Sequence, residues 1–153
     1  MADIGLYALP FGFGPASKAV AVVQAVNERA SRPVRWTFVS SGIGIELLRR
    51  SGLQGRWCDT GRLDADAELA DRLVRELDAM IVVMHREWAH TLAPRLPVFC
   101  VDSLAHMWRP DAFDGYPGFR HVARYYVQDL FGAREAMSRT SVPNVVPVRP
   151  IMS

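Results

Sequence analysis

The chain has 153 residues, of which 50% are hydrophobic and 22% charged, with 11 Gly and 10 Pro. This profile excludes a disordered or collagen-like polymer and suits one compact domain. At this size about 70% of the surface exposed by the unfolded chain is buried on folding, enough for a core without disulfides or a structural metal. The net charge is only +2, and the 17 arginines alternate with 16 carboxylates, so no basic run is offered to nucleic acid. There is no stretch of 18 apolar residues for membrane insertion, and Asp3 stands where a signal peptide would need a basic flank. Cys58 and Cys100 are far apart, with no metal-ligand spacing around them. They are expected to be free thiols in a reducing, cytoplasmic setting, with neither a metal nor a cofactor required.

In chain order, residues 3–9 read as a strand, followed by the turn Pro10-Phe11-Gly12-Phe13-Gly14-Pro15 and a helix in which Ala19, Val20, Val22, Val23 and Val26 recur at near-helical spacing. Pro15 suits a first helical turn, where its missing N–H is no loss. After Pro33, residues 34–39 form a second strand, Ser40-Ser41-Gly42 a turn, and 43–50 a helix closed by Gly52. Residues 56–59 are a weak third strand. Asp64 is placed to cap a helix carrying Leu69, Leu73, Val74 and Leu77. The continuous apolar run 79–84 marks a strand buried on both faces. A short helix over 87–93 and a fifth strand over 97–101 follow. Residues 104–119, rich in Pro, Gly and aromatic side chains, read as mostly irregular. A strand at 125–128, a helix at 130–137 and a strand at 144–148 complete the series.

Strands alternating with helices along the whole chain imply an α/β fold: a single Rossmann-like domain over 1–153, a doubly wound parallel sheet of six or seven strands covered on both faces. With strand order 3-2-1-4-5, the crevice that such sheets use for ligands opens between the first and fourth strands, beyond their carboxyl ends. Gly12, Phe13, Gly14 and Ser17 would stand on one side of it, His85, Arg86, Glu87 and Trp88 on the other, with Asp102 and Ser103 next.

Gly12 and Gly14 allow either a loop whose N–H groups receive an electron-rich group or a plain strand-to-helix turn. Ser17 stands where a dinucleotide fingerprint needs its third Gly, and no Ser or Thr follows Lys18 as a Walker loop requires, so neither motif is complete. His85, with Glu87 two residues on, is a candidate general base. Asp102, directly after an apolar strand, must cap, pair with a cation or face the cleft. Trp108, with Phe113, Tyr116 and Phe119, would roof an apolar ligand, pack as a lid, or present a surface to a second chain. His90, His106 and His121 have no metal-ligand spacing. No nucleophile elbow occurs.

The succession Leu9-Pro10-Phe11-Gly12-Phe13-Gly14-Pro15-Ala16-Ser17, Thr37-Phe38-Val39-Ser40-Ser41-Gly42, Pro97-Val98-Phe99-Cys100-Val101-Asp102-Ser103, Tyr126-Val127-Gln128 and Val146-Pro147-Val148-Arg149-Pro150-Ile151 resembles, over essentially the whole chain, the N-terminal half of a GT-B glycosyltransferase. It is similar to the nucleotide-sugar-dependent natural-product enzymes of that fold. The resemblance implies the acceptor-side domain of an enzyme whose donor site lies on a second domain, expected either on a partner chain, if this is a split subunit, or on the rest of a longer enzyme, if this is its N-terminal segment. In that family the Gly-rich loop often carries a basic histidine. Gly14-Pro15-Ala16-Ser17 has none, which leaves His85 as the nearest histidine the topology brings to the cleft.

The expectation is therefore an acceptor-binding half that moves a sugar from a nucleotide-sugar to a small-molecule acceptor, acting with a donor-domain chain or as a homo-oligomer. The alternative is a non-catalytic Rossmann-like module that binds a metabolite or stabilises a partner. A nucleotide-binding oxidoreductase is the weaker third reading.

Overall fold

The computed structural model describes residues 1–61 and 66–150. Seven strands and five helices alternate: β1 (Ala2–Ala8), α1 (Phe13–Arg29), β2 (Val34–Ser40), α2 (Gly42–Arg50), β3 (Arg56–Asp59), α3 (Ala67–Glu76), β4 (Ala79–Val83), α4 (Arg86–Leu92), β5 (Val98–Asp102), β6 (Arg124–Gln128), α5 (Ala133–Ser138) and β7 (Val145–Val148). All seven strands are parallel in one sheet of order β3-β2-β1-β4-β5-β6-β7. The doubly wound Rossmann-like reading holds, and the order reverses at β1, as anticipated.

Two cores follow from the period of two along the strands. Leu6, Ala8, Phe38, Ile81 and Val83 face α1 and α2, whereas Tyr7, Val39, Met80, Val82 and Cys100 face α3, α4 and α5. Each strand contributes alternate residues to opposite faces, so the central strands are apolar throughout, in contrast to a half-exposed sheet.

Right-handed crossovers divide the helices unequally. Winding from β1 to β3 lays α1 and α2 on one face, and winding from β4 to β7 lays the later helices on the other. On the α1 side of β5, β6 and β7 no helix is found among the described residues. Phe99, Tyr126 and Val148 there line, with Ile4, Val22 and Val26, an apolar groove of about 410 Å3.

Local differences from the sequence reading have physical causes. Asp66 caps α3, accepting from the Leu69 amide at 2.7 Å, whereas Asp64 lies outside the described residues, as does Ile151. α5 begins three residues later than periodicity suggests, because Phe131 (φ 50°) and Gly132 (φ 80°) are left-handed. Segment 104–119 is better organised than its composition implies, with 3-10 turns at Ala105–Met107 and Pro117–His121.

The expected exposed aromatic patch is also corrected. Phe113 and Phe119 are 2% and 3% exposed; Phe113 packs edge-on against Phe119 and Tyr125, and Phe119 lies tilted against Tyr125, inside the core beneath α4. Cys58 and Cys100 are free and buried. They lie on strands separated by β2, β1 and β4, a span of roughly 19 Å at ~4.8 Å per strand spacing, so no disulfide reaches across.

Gly118 holds the aromatic segment against α4. Its amide donates to His90 Nδ1 at 2.9 Å, and a Cβ there would sit 2.1 Å from the His90 carbonyl oxygen. Gly118→Ala is expected to destabilise the domain by about 1–3 kcal/mol through overpacking, read as a lowered urea midpoint with an unchanged m-value.

Candidate functional site

β1 ends at Ala8 opposite Val83 of β4, and Val83 pairs with Val101 of β5. The carboxyl ends of these three strands are therefore level, and the residues immediately after them converge. Leu9, Met84, His85, Arg86, Glu87 and Asp102, with Leu104, Trp108 and Tyr116, line a cavity of about 250 Å3. A wider depression of about 650 Å3 lies at the amino end of β2, beside Asn27 and Pro33. Ligands of open α/β sheets bind at the opposite end, where strand order reverses.

The backbone entering the cavity is unusual at Met84, a bulky residue with φ 61°. A non-glycine side chain in the left-handed region is strained, and such strain concentrates at functional turns. The Met84 amide donates to Val101 O at 3.0 Å, and its sulfur accepts from Ser103 Oγ at 3.3 Å. This anchorage holds the turn that aims His85 and Arg86 into the cavity. No sequence signal marks Met84, because nothing in its residue type favours positive φ.

His85 is the N-cap of α4: its Nδ1 accepts from the Trp88 amide at 3.3 Å, and its ring meets Tyr7 edge-on at 5.0 Å. In a neutral imidazole the accepting nitrogen carries the lone pair and the other carries the proton. The nitrogen that a base would use is therefore the one held by the helix. This geometry favours a positioning role over the expected general base. Glu87, in the first turn of α4, also lines the cavity. Trp88, expected at the ligand, is 0% exposed and stacks on Tyr7 at 5.4 Å. It is a core residue, since the helical turn that starts at Arg86 points it at the sheet. Burial pushes the Tyr7 phenol up, and the Glu87 charge adds to the shift.

Asp102 is 2% exposed and fully engaged. One oxygen accepts from the Leu104 amide at 2.6 Å, and the other accepts from Trp108 Nε1 and Tyr125 Oη, each at 2.5 Å. Burial, reinforced by the Asp102 charge, holds the Tyr125 phenol well above its ordinary range, so it remains a donor. The carboxylate closes a turn rather than capping a helix. Through Trp108 it fixes the cavity's aromatic wall.

That wall holds Arg86. Its guanidinium lies 4.5 Å from the Trp108 ring centroid, 5.2 Å from Tyr116 and 5.8 Å from Phe113, and it donates to the Ala112 carbonyl. The sequence reading set Arg86 beside the crevice but gave it no role. The signal that could have found it was an arginine directly after a buried strand, followed some 20 residues later by a Trp- and Tyr-rich loop.

The β1–α1 loop contributes less than expected. Gly12 (φ 69°) makes the turn, whereas Gly14 lies within α1 with an ordinary backbone and only Lys18 Nζ, at 3.9 Å, near a Cβ built on it. Ser17 Oγ and Lys18 Nζ both donate to the Gly14 carbonyl. Gly12, Phe13, Gly14 and Ser17 do not line the cavity, which Leu9 alone reaches from this side. Among the described residues no group of His, Cys, Asp and Glu is arranged to hold a metal ion.

No family model matches the chain, and no curated protein matches it by sequence. Solved structures do. UDP-GlcNAc 2-epimerase from Neisseria meningitidis bound to UDP-GlcNAc superposes with a TM-score of 0.63 over 96% of this chain, at 10% identity. A putative UDP-N-acetylglucosamine 2-epimerase from Listeria monocytogenes gives 0.57 over 95%, at 12% identity. The likeness is one of fold. The chain spans 45% of the length of each. These neighbours are epimerases, and similarity to natural-product glycosyltransferases in particular is not among the findings.

His85→Ala is expected to lower stability by about 1 kcal/mol, the usual effect of removing an N-cap, and His85→Asn to restore most of it; urea titration reads both. Tyr125→Phe, which takes one donor from the buried carboxylate, should lower stability by about 1–3 kcal/mol in the same measurement.

Proposed function

We propose that this chain is the acceptor-binding half of an enzyme that transfers a sugar from a nucleotide-sugar to a small molecule, with the donor-binding half supplied by a second domain or chain. The observation that carries the reading is the near-complete superposition of the chain on less than half of sugar-nucleotide enzymes. A cavity at the carboxyl ends of β1, β4 and β5 adds to it. Transfer would be a direct displacement: the acceptor's nucleophilic oxygen forms a bond to the anomeric carbon, the bond from that carbon to the diphosphate breaks, and the acceptor proton passes to a base. Glu87, which lines the cavity, is our candidate for that base; Asp102 is held by three donors and His85 Nδ1 accepts from the Trp88 amide. Asp102 and His85 would act by holding the walls.

The carboxyl edge of the sheet is suited to closure against another domain. Phe11 and Phe13 after β1, Ile43 after β2, Met107 after β5 and Phe131 after β6 are all exposed, three of them by more than 75%. Large apolar side chains gathered on the edge used for ligands favour burial against a partner. A non-catalytic module that stabilises such a partner is the second reading, favoured by the lack of a histidine in the β1–α1 loop.

Calorimetry with UDP-sugars should show weak or no binding by this chain alone, since most donor contacts would lie on the other half; tight binding would overturn the division of labour. In partner-dependent transfer, Glu87→Gln is expected to lower turnover by a factor on the order of 100 or more with an unchanged melting temperature. Transfer that survives this change, together with loss of the cavity, would make the chain a scaffold.

A further inference from the structure

We propose that Arg86 recognises a carboxylate on the small molecule that enters this cavity. The inference rests on the cavity being the ligand site, but not on sugar transfer. Arg86 is half-buried, and among the described residues it makes one hydrogen bond, to the Ala112 carbonyl, and no ion pair. A guanidinium carries five N–H donors, so most of its donor edge is unspent. Partial burial of an unpaired cation is unfavourable, and the faces of Trp108, Tyr116 and Phe113 offset part of that by attraction to the ring quadrupoles. The three ring centroids lie within 5.8 Å of the guanidinium carbon, and the N–H edge of such a group is the side that meets an oxyanion in the plane.

Arg86 therefore lines the cavity with most of its donors left over after the bond to the Ala112 carbonyl. Its orientation is enforced from below: Asp102 fixes Trp108 through the indole N–H, and Trp108 supports the guanidinium. This chain of contacts would be an expensive way to hold a merely solvated surface arginine, since it includes a buried carboxylate.

The charge and size of the cavity select the ligand class. Arg86 faces a wall that also bears Glu87 and Asp102, so one cation stands beside two carboxylates. A planar carboxylate fits the two-pronged N–H edge of one guanidinium, whereas a diphosphate carries more negative charge than a single arginine offsets. A volume of about 250 Å3 admits a group of roughly one ring, not a nucleotide-sugar. The geometry thus points to a small monocarboxylic acid whose ring or chain lies along Trp108 and Tyr116. In the transfer reaction it would be an acidic acceptor.

The test uses benzoate, its neutral counterpart benzamide, and pyrophosphate as probes of the full chain, followed by the NMR signals of the Arg86 Nε–H and the Trp108 indole N–H. Benzoate should shift both signals saturably, and benzamide should bind at least tenfold more weakly. Arg86→Gln should weaken benzoate by about tenfold or more, with Arg86→Lys intermediate. Equal binding of benzoate and benzamide, or benzoate shifts that leave the Arg86 signal unmoved, would overturn the proposal. Pyrophosphate binding that is tighter than benzoate and equally dependent on Arg86 would overturn the carboxylate assignment in favour of a phosphate. If Arg86→Gln fails to fold, the comparison of benzoate with benzamide on the unaltered protein still decides. Partner-dependent transfer to neutral acceptors only would sink this inference while leaving the sugar-transfer reading intact.

Discussion

Between Ala8 and Val83 the sheet changes its direction of winding, and the rest of the molecule follows from that seam. Every crossover must be right-handed, so the chain can leave β1 toward β2 and β3 only with its helices on one face, and leave β4 toward β7 only with them on the other. At the junction the loops after β1 and β4 diverge to opposite faces and cannot cover the strand ends. A crevice there is a topological necessity, and its walls are whichever residues follow those strands.

The same handedness explains why the two faces are unequally clothed. Helices α3, α4 and α5, with the aromatic segment, build a continuous core of Trp88, Phe113, Phe119 and Tyr125 on one side of the sheet. The other side is clothed by α1 and α2 over β1 to β3 and remains an apolar groove over β5 to β7. The unequal cover and the exposed phenylalanines of the carboxyl edge describe a domain with more apolar surface than its own helices conceal.

Around the seam, polar groups are organised to hold side chains still. Asp102 is buried under three donors, His85 closes the first turn of α4, and Ser103 braces the strained Met84. Buried polar networks of this kind are stabilising only when every member is satisfied, and here each link also fixes part of the cavity wall. Arg86 and Glu87 stand on that wall.

The sequence by itself determined the fold class and the succession of elements, because apolar runs such as 79–84 and 97–101 and the turns between them are written in local residue order; the strand order, and with it the seam, was assumed from the usual doubly wound arrangement and decided by the pairing of the strands. It also named His85, Glu87, Asp102 and Trp108 as neighbours of the crevice, since these follow strands whose ends had to meet there. Side-chain direction and partnership were decided only by tertiary structure. Trp88 turns to the core because α4 starts at Arg86. Phe113 and Phe119 fold under α4 because Gly118 allows contact with His90. Gly12, not Gly14, makes the left-handed turn. Arg86 acquires its meaning from Trp108, Tyr116 and Phe113, which lie 22 to 30 residues away in the chain. Periodicity reports which residues avoid water, but hydrogen-bond partners and ring contacts depend on distances across the sheet that no local pattern encodes.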